Sequence, residues 1–195
     1  MFPFVRDELD YQPYYCEENV WKLLSRPQLA AWDAWAVVVS SRERDAILLR
    51  QRAGRPVDGL VHWDYHVFAA ALDPVEGAIA LDLDSQLPFP CPFGRYLEDS
   101  FPPDSPSRAS ARFRAFASAE YVAGLSSDRS HMRRADGGWL WPPPPWPAPG
   151  EGEDREPNLM RWTDVRRRSP GKLYDAARLA SVMRARERKA LRRME

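Results

Sequence analysis

The sequence predicts an α+β protein, an antiparallel sheet flanked by helices, and three observations carry that prediction. Apolar runs at 35–40, 46–50, the second half of 62–72, and 78–84 succeed one another across short charged or Pro/Gly turns, the pattern of an antiparallel meander. Helically spaced apolar residues bracket these runs, with Val20, Leu23 and Leu24 before them and an alanine-rich stretch from Lys172 after them. The third is size: 195 residues at 44% hydrophobic suffice for one domain burying about 70% of its unfolded surface, so 1–195 reads as a single domain.

Taken in order, residues 1–13 carry Pro3 and Pro13 among aromatic residues and read as an extended arm packing through Phe2, Phe4 and Tyr11. A helix is expected from Cys16 to about Arg26, where Pro27 disfavours helical geometry in the residue before it, with a short helical segment through Leu29 to Trp32. The run 35–40 is apolar on both faces, as a covered central strand would be, and 46–50 is expected to pair with it as a hairpin across the charged turn 41–45. Residues 52–59 form a loop. The strands at 67–72 and 78–84 join through Asp73-Pro74 and Glu76-Gly77. Leu-Pro-Phe-Pro-Cys-Pro-Phe at 87–93 removes ladder donors and excludes a central strand; Cys91 within it reads as buried packing. A short helix is expected at 96–101, a loop at 102–106, and a helix over 108–121 from the spacing of Phe113, Phe116 and Ala117. Residues 124–138 read as an irregular loop, and Trp-Leu-Trp-Pro-Pro-Pro-Pro-Trp-Pro at 139–147 as a rigid covering arm. A long helix is expected over 172–195 on the apolar face of Leu173, Ala176, Ala177 and Ala180, with a basic tail at about 181–195.

The formal charge is zero, from 28 basic and 28 acidic residues, so no global field recruits nucleic acid or an anionic membrane. Residues 161–195 hold 12 basic and 4 acidic residues against 16 and 24 before them; that tail reads as a solvated basic helical face. The N-terminal residues lack a secretory pattern, no apolar stretch approaches the roughly 18 residues that span a bilayer, and the two cysteines read as free thiols of a reducing compartment. The expected location is cytoplasmic or nuclear, and nothing in the sequence suggests an interface between copies.

Cys16 is a candidate nucleophile. It opens a helix, where unpaired N–H groups and the dipole favour thiolate. His66, at the start of one strand, and Asp82, near the end of its antiparallel neighbour, are candidates for the base and its orienting carboxylate. No metal or other cofactor is required, because the three histidines lack zinc-ligand spacing.

Five segments carry a resemblance. Tyr-Cys-Glu-Glu-Asn-Val-Trp-Lys-Leu at 15–23, Trp-Asp-Tyr-His-Val at 63–67, Asp-Leu-Asp at 82–84 with Leu-Pro-Phe-Pro-Cys at 87–91, Ser-Asp-Arg-Ser-His-Met at 127–132, and Pro-Pro-Pro-Pro at 142–145 closely resemble the protein N-terminal glutamine amidohydrolase family over roughly residues 10–175. The resemblance implies a core similar to the papain and transglutaminase thiol enzymes and the catalytic set Cys16, His66 and Asp82. It also implies hydrolysis of the side-chain carboxamide of an N-terminal glutamine in the arginine branch of the N-degron pathway. The partners implied are polypeptides with a free N-terminal glutamine and components of that pathway, and the state implied is a monomer. The longer basic tail and the charged, proline-rich 150–168 depart from the family's pattern.

Recognition of a free terminus calls for a carboxylate to hold the α-ammonium. The candidates are Asp64, Glu18, Glu17 and Asp128, with Asp64 and Glu18 first because they adjoin His66 and Cys16. The Trp63 indole is a candidate oxyanion donor, and His131 is read as a structural hydrogen-bonding residue. The competing readings are a transglutaminase-like acyltransferase or cysteine peptidase, and a non-catalytic reader of N-terminal glutamine.

Overall fold

The computed structural model describes residues 2–192. At its centre lies β1, Ala34–Ser40, buried along its whole length, as its unbroken apolar run predicts. It pairs antiparallel on one side with β4, His66–Asp73, and on the other with β7, Arg112–Ala117. Outward from β4 come β5, Gly77–Leu81, and the two-residue β6, Cys91–Pro92; outward from β7 comes β8, Lys172–Tyr174. The sheet order is β6-β5-β4-β1-β7-β8, with every pairing antiparallel. The proline-rich segment thus sits at an edge, where missing donors cost nothing.

Helices cover both faces. On one, α1 (Cys16–Leu24), α4 (Ser118–Gly124) and α5 (Leu159–Thr163) set Leu23, Tyr121 and Trp162 against Val38, Ala69 and Phe116. On the other, α2 (Phe93–Ser100) and α6 (Ala176–Leu191) set Tyr96, Leu179 and Met183 against Val37, Phe68 and Phe113. Each such large apolar side chain contributes about 2 kcal/mol by leaving water. The N-terminal arm packs as expected, with Phe2 buried and in edge contact with Phe4, Trp32 and Phe89. No helix of the described residues is long and apolar enough to cross a membrane.

Three expectations are corrected. The hairpin of 35–40 with 46–50 does not form: both edges of β1 are occupied by β4 and β7, and β2, Ala46–Leu48, pairs instead with β3, Val61–Trp63, in a separate two-stranded sheet. The helix over 108–121 is a short helix α3 (Pro106–Ser110), then β7, then α4. Phe113 and Phe116, three residues apart, would share a helical face, but on a strand they point to opposite sides, and the two cores each take one. The long C-terminal helix starts later than expected: residues 172–174 form the edge strand β8, and Asp175 caps α6 by accepting from the Arg178 N–H. Its buried face is Ala176, Leu179 and Met183, while Leu173 and Ala177 are exposed. The basic tail at 181–195 continues α6 to Leu191, its last three residues lying outside the described ones.

The helical reading of 108–121 also overlooked Arg114, a buried arginine whose guanidinium donates to the carbonyls of Trp162, Asp164 and Arg167. It ties the turn after α5 to the sheet. Arg114→Met keeps the side-chain bulk but strands those carbonyls, so it is expected to lower stability by about 3 kcal/mol in urea denaturation; a loss under about 1 kcal/mol would show that the turn is held by packing alone.

Candidate active site

Cys16 is the first residue of α1, and the chain reaches it through a sharp bend, with Tyr14 at φ 70° and Tyr15 at φ −121°, ψ 51°. Asn19 fixes that bend by accepting from the Gln12 N–H at 2.8 Å and donating to the Gln12 carbonyl at 2.9 Å. Cys16 lines a cleft, and the Val67 N–H, one residue beyond His66, donates toward its sulfur.

Asp82 follows directly on β5, and His66 begins β4, so the antiparallel pairing of the two strands brings them together. His66 Nε2 lies 3.1 Å from Asp82 Oδ1, with both side chains 1% exposed. The pair becomes an ion pair when the imidazole is protonated. Asp82 is fixed independently: Oδ2 accepts from Gln51 Nε2 at 3.2 Å and the Tyr96 hydroxyl at 2.9 Å, and Oδ1 accepts from the Asp84 N–H at 3.0 Å. Gln51 depends on a tight loop in which Gly59 has φ 66° and a Cβ there would stand 2.7 Å from the Gln51 nitrogen.

Burial would push the Asp82 carboxyl up, but the adjacent His66 and the hydrogen bonds from Gln51 and Tyr96 outweigh it and hold the group below its usual value. Burial would likewise push the His66 imidazolium down, and Asp82 reverses this, so His66 titrates above the ordinary histidine value. Cys16 differs from expectation. Although it opens a helix, burial pushes its thiol well up, and the Glu17 and Asp84 charges add to this, with the Val67 N–H only partly compensating. The cysteine is partly exposed on the cleft side, yet its sulfur is packed among protein atoms. Buried Glu17 in the first turn of α1, which accepts from the Cys16 sulfur at 3.7 Å, opposes what the dipole offers. These surroundings favour the thiol over the thiolate.

The cleft, of about 350 Å³, is lined by Cys16, Trp63, Asp64, Tyr65, His66 and Asp84 together with Tyr14, His131, Leu140, Trp141 and Met160. That volume suits a small organic group. Trp63 packs nearly parallel to His66, with ring centres 6.3 Å apart, and its indole N–H has no acceptor. Trp141, on the proline-rich arm, stacks on Tyr14 at 4.2 Å, so the covering arm expected from sequence forms one wall.

The carboxylates distribute unevenly. Asp64 lines the cleft from an exposed position. Glu18 does not: it is buried, chelated by Arg129 at 2.7 Å through both nitrogens, and accepts from the Trp146 indole at 3.0 Å. Asp128 lines a different hollow and accepts from the Ser130 N–H at 2.9 Å. Glu17 accepts from the Tyr65 hydroxyl at 3.1 Å and lies 3.5 Å from His131 Nε2. Sequence reasoning missed Asp84, Gln51, Tyr96 and Tyr65 as neighbours of the site; the signal available for Asp84 was its spacing of two from Asp82. His66, Asp82 and Asp84 also present ligand atoms within 4.8 Å of one another, the spacing a divalent cation could use, and an ion there would compete with the His66–Asp82 pairing.

Comparison with known proteins agrees with this geometry. A model of the N-terminal glutamine amidase family matches residues 11–184. A protein N-terminal glutamine amidohydrolase of Bos taurus is 38% identical over 156 residues, covering 77% of this chain and 75% of the relative. Its counterpart from Drosophila melanogaster is 42% identical over 151 residues, covering 74% and 73%, and that of Drosophila ananassae is likewise 42% identical over 151 residues. With a match that takes in nearly the whole chain, including Cys16, His66 and Asp82, this protein belongs to the N-terminal glutamine amidase family.

Proposed function

We propose that this chain hydrolyses the side-chain carboxamide of a glutamine at the first position of a polypeptide, releasing ammonia and leaving N-terminal glutamate. The observation that carries this reading is a buried His66–Asp82 pair opening on the same cleft as a thiol whose proton must be removed before it can attack. The names of the relatives supply the substrate.

The chemistry follows from the proton positions. With His66 Nε2 directed at Asp82, Nδ1 is the nitrogen left to take the Cys16 proton. The thiolate attacks the carboxamide carbon, and negative charge grows on its oxygen. The first-turn N–H of Cys16, which has no intrahelical acceptor, and the unpartnered Trp63 indole N–H are the donors we assign to that oxygen. The C–N bond then breaks as the His66 imidazolium gives its proton to the departing nitrogen, which leaves as ammonia. His66 next deprotonates a water that attacks the thioester; the C–S bond breaks, glutamate is released and the Cys16 thiol is restored. Asp82 stays charged throughout, holding the ring and stabilising its cationic form. A nucleophile at a helix start, a base opening a strand and a carboxylate following the next strand support kinship with papain and transglutaminase enzymes. Exposed Asp64 on the rim draws a cationic terminus inward. The product is the kind of terminus that the arginine branch of the N-degron pathway extends, which is where we place the reaction.

A Gln-initiated peptide incubated with the protein is expected to become the Glu-initiated form by mass spectrometry with stoichiometric ammonia, while its N-acetylated form and a peptide with internal glutamine stay unchanged; transfer to an added amine would favour acyl transfer instead. Cys16→Ala is expected to reduce turnover by about 10⁴-fold or more while still binding the peptide, and native ammonia release from it would remove Cys16 from the mechanism. Because Asp82 raises the His66 pKa, kcat/KM should fall off on the acid side at a pH above the ordinary histidine value of 6.5. In Asp82→Asn that limb should move to lower pH, since burial then acts on His66 unopposed, and kcat should drop by about 10²–10⁴-fold; a limb that stays in place would assign it to another group.

A further inference from the structure

We propose that Asp84 is the receptor for the substrate's α-ammonium group, an assignment that rests on the deamidation reading above. Asp84 is 6% exposed and lines the cleft together with Cys16 and His66. Its Oδ1 accepts from the Tyr11 hydroxyl at 2.6 Å, which fixes the carboxylate plane. No group among the described residues donates to Oδ2, and that oxygen keeps some exposure. A carboxylate oxygen of Asp84 lies within 4.8 Å of both a His66 ring nitrogen and an Asp82 oxygen. The Asp84 N–H donates to Asp82 Oδ1 at 3.0 Å, so one turn of chain sets two carboxylates with different tasks: Asp82 engaged by the imidazole, Asp84 presented to whatever enters.

A buried carboxylate with an unused oxygen beside the apolar wall of Trp63, Leu140 and Trp141 is an unfavourable place for a neutral, bulky group and a favourable one for a small cation carrying several N–H donors. A free N-terminus is such a cation. An acylated terminus, or the backbone amide before an internal glutamine, brings no charge and leaves Asp84 unpaired, which is how a site of this kind rejects its competitor. The other acids do not offer this. Glu18 is chelated by Arg129, Asp128 lines another hollow, Glu17 serves Tyr65 and does not line the cleft, and Asp64 stands exposed in water.

The test compares kcat/KM for a Gln-initiated peptide with that for its desamino analogue, a 4-carbamoylbutanoyl peptide in which hydrogen replaces the α-ammonium, across the native chain, Asp84→Asn, Asp64→Asn and Tyr11→Phe. Asp84→Asn is expected to lower kcat/KM for the Gln peptide by about 100-fold, mostly through KM, and to leave the desamino analogue within about threefold, so the preference for a charged terminus collapses. A purely structural role would depress both substrates together. Tyr11→Phe, which removes only the hydroxyl that fixes Asp84, should lower the same preference several-fold and provides the measurement if Asp84→Asn does not fold. An unchanged preference in the folded Asp84 and Tyr11 variants, or a collapse in Asp64→Asn instead, overturns the assignment of Asp84 alone. No turnover of the Gln peptide by the native chain overturns the deamidation reading and this inference with it.

Discussion

The buried pair of His66 and Asp82 is the constraint around which the site is arranged. A carboxylate enclosed in protein carries a large desolvation cost unless its oxygens are occupied, and here they are: Gln51, Tyr96 and the Asp84 N–H all donate to Asp82 while His66 faces it. Each partner arrives from a different part of the chain. Gln51 comes from the loop held by Gly59, Tyr96 from α2, and His66 from the first residue of β4. The sheet, the helix on its far face and an irregular loop therefore meet at one anion.

The electrostatics around Cys16 follow from that arrangement. Glu17, Asp82 and Asp84 all act to keep its proton in place, and the same negative field raises His66. Such a field disfavours a thiolate at Cys16 and favours an imidazolium at His66. The acids that suppress the thiolate also make the cleft attractive to a cation. Under the reading proposed above, the same charge distribution bears on both the thiol and the charged terminus.

Much of this was legible in the sequence, and the parts that were not share a physical cause. The central strand was readable because burial on both faces leaves an unbroken apolar run, and the placing of His66 and Asp82 as neighbours followed from antiparallel hairpin geometry. Segment 112–117 was misread because a spacing of three serves a helix with one covered face and a strand with two. The pairing of β2 depended on competition for the edges of β1, which no local pattern records. The charge state expected for Cys16 came from the helix start alone, whereas Glu17 enters its surroundings through the burial of its side chain. Glu18 illustrates the same limit: adjacent to the nucleophile in sequence, it faces Arg129 and Trp146, more than a hundred residues away.

That Glu18 contact has a wider bearing. Arg129 bonds both Glu18 and the Trp146 carbonyl at 2.9 Å, and the Trp146 indole returns to Glu18, so the excursion between residues 129 and 146 is clasped shut at its base against the helix that starts with Cys16. A loop closed in this way can change length with little added entropic cost. The tip carries Leu140 and Trp141 of the cleft wall. Under the reading proposed above, changes within this excursion would reshape the cleft wall while the clasp at its base is kept.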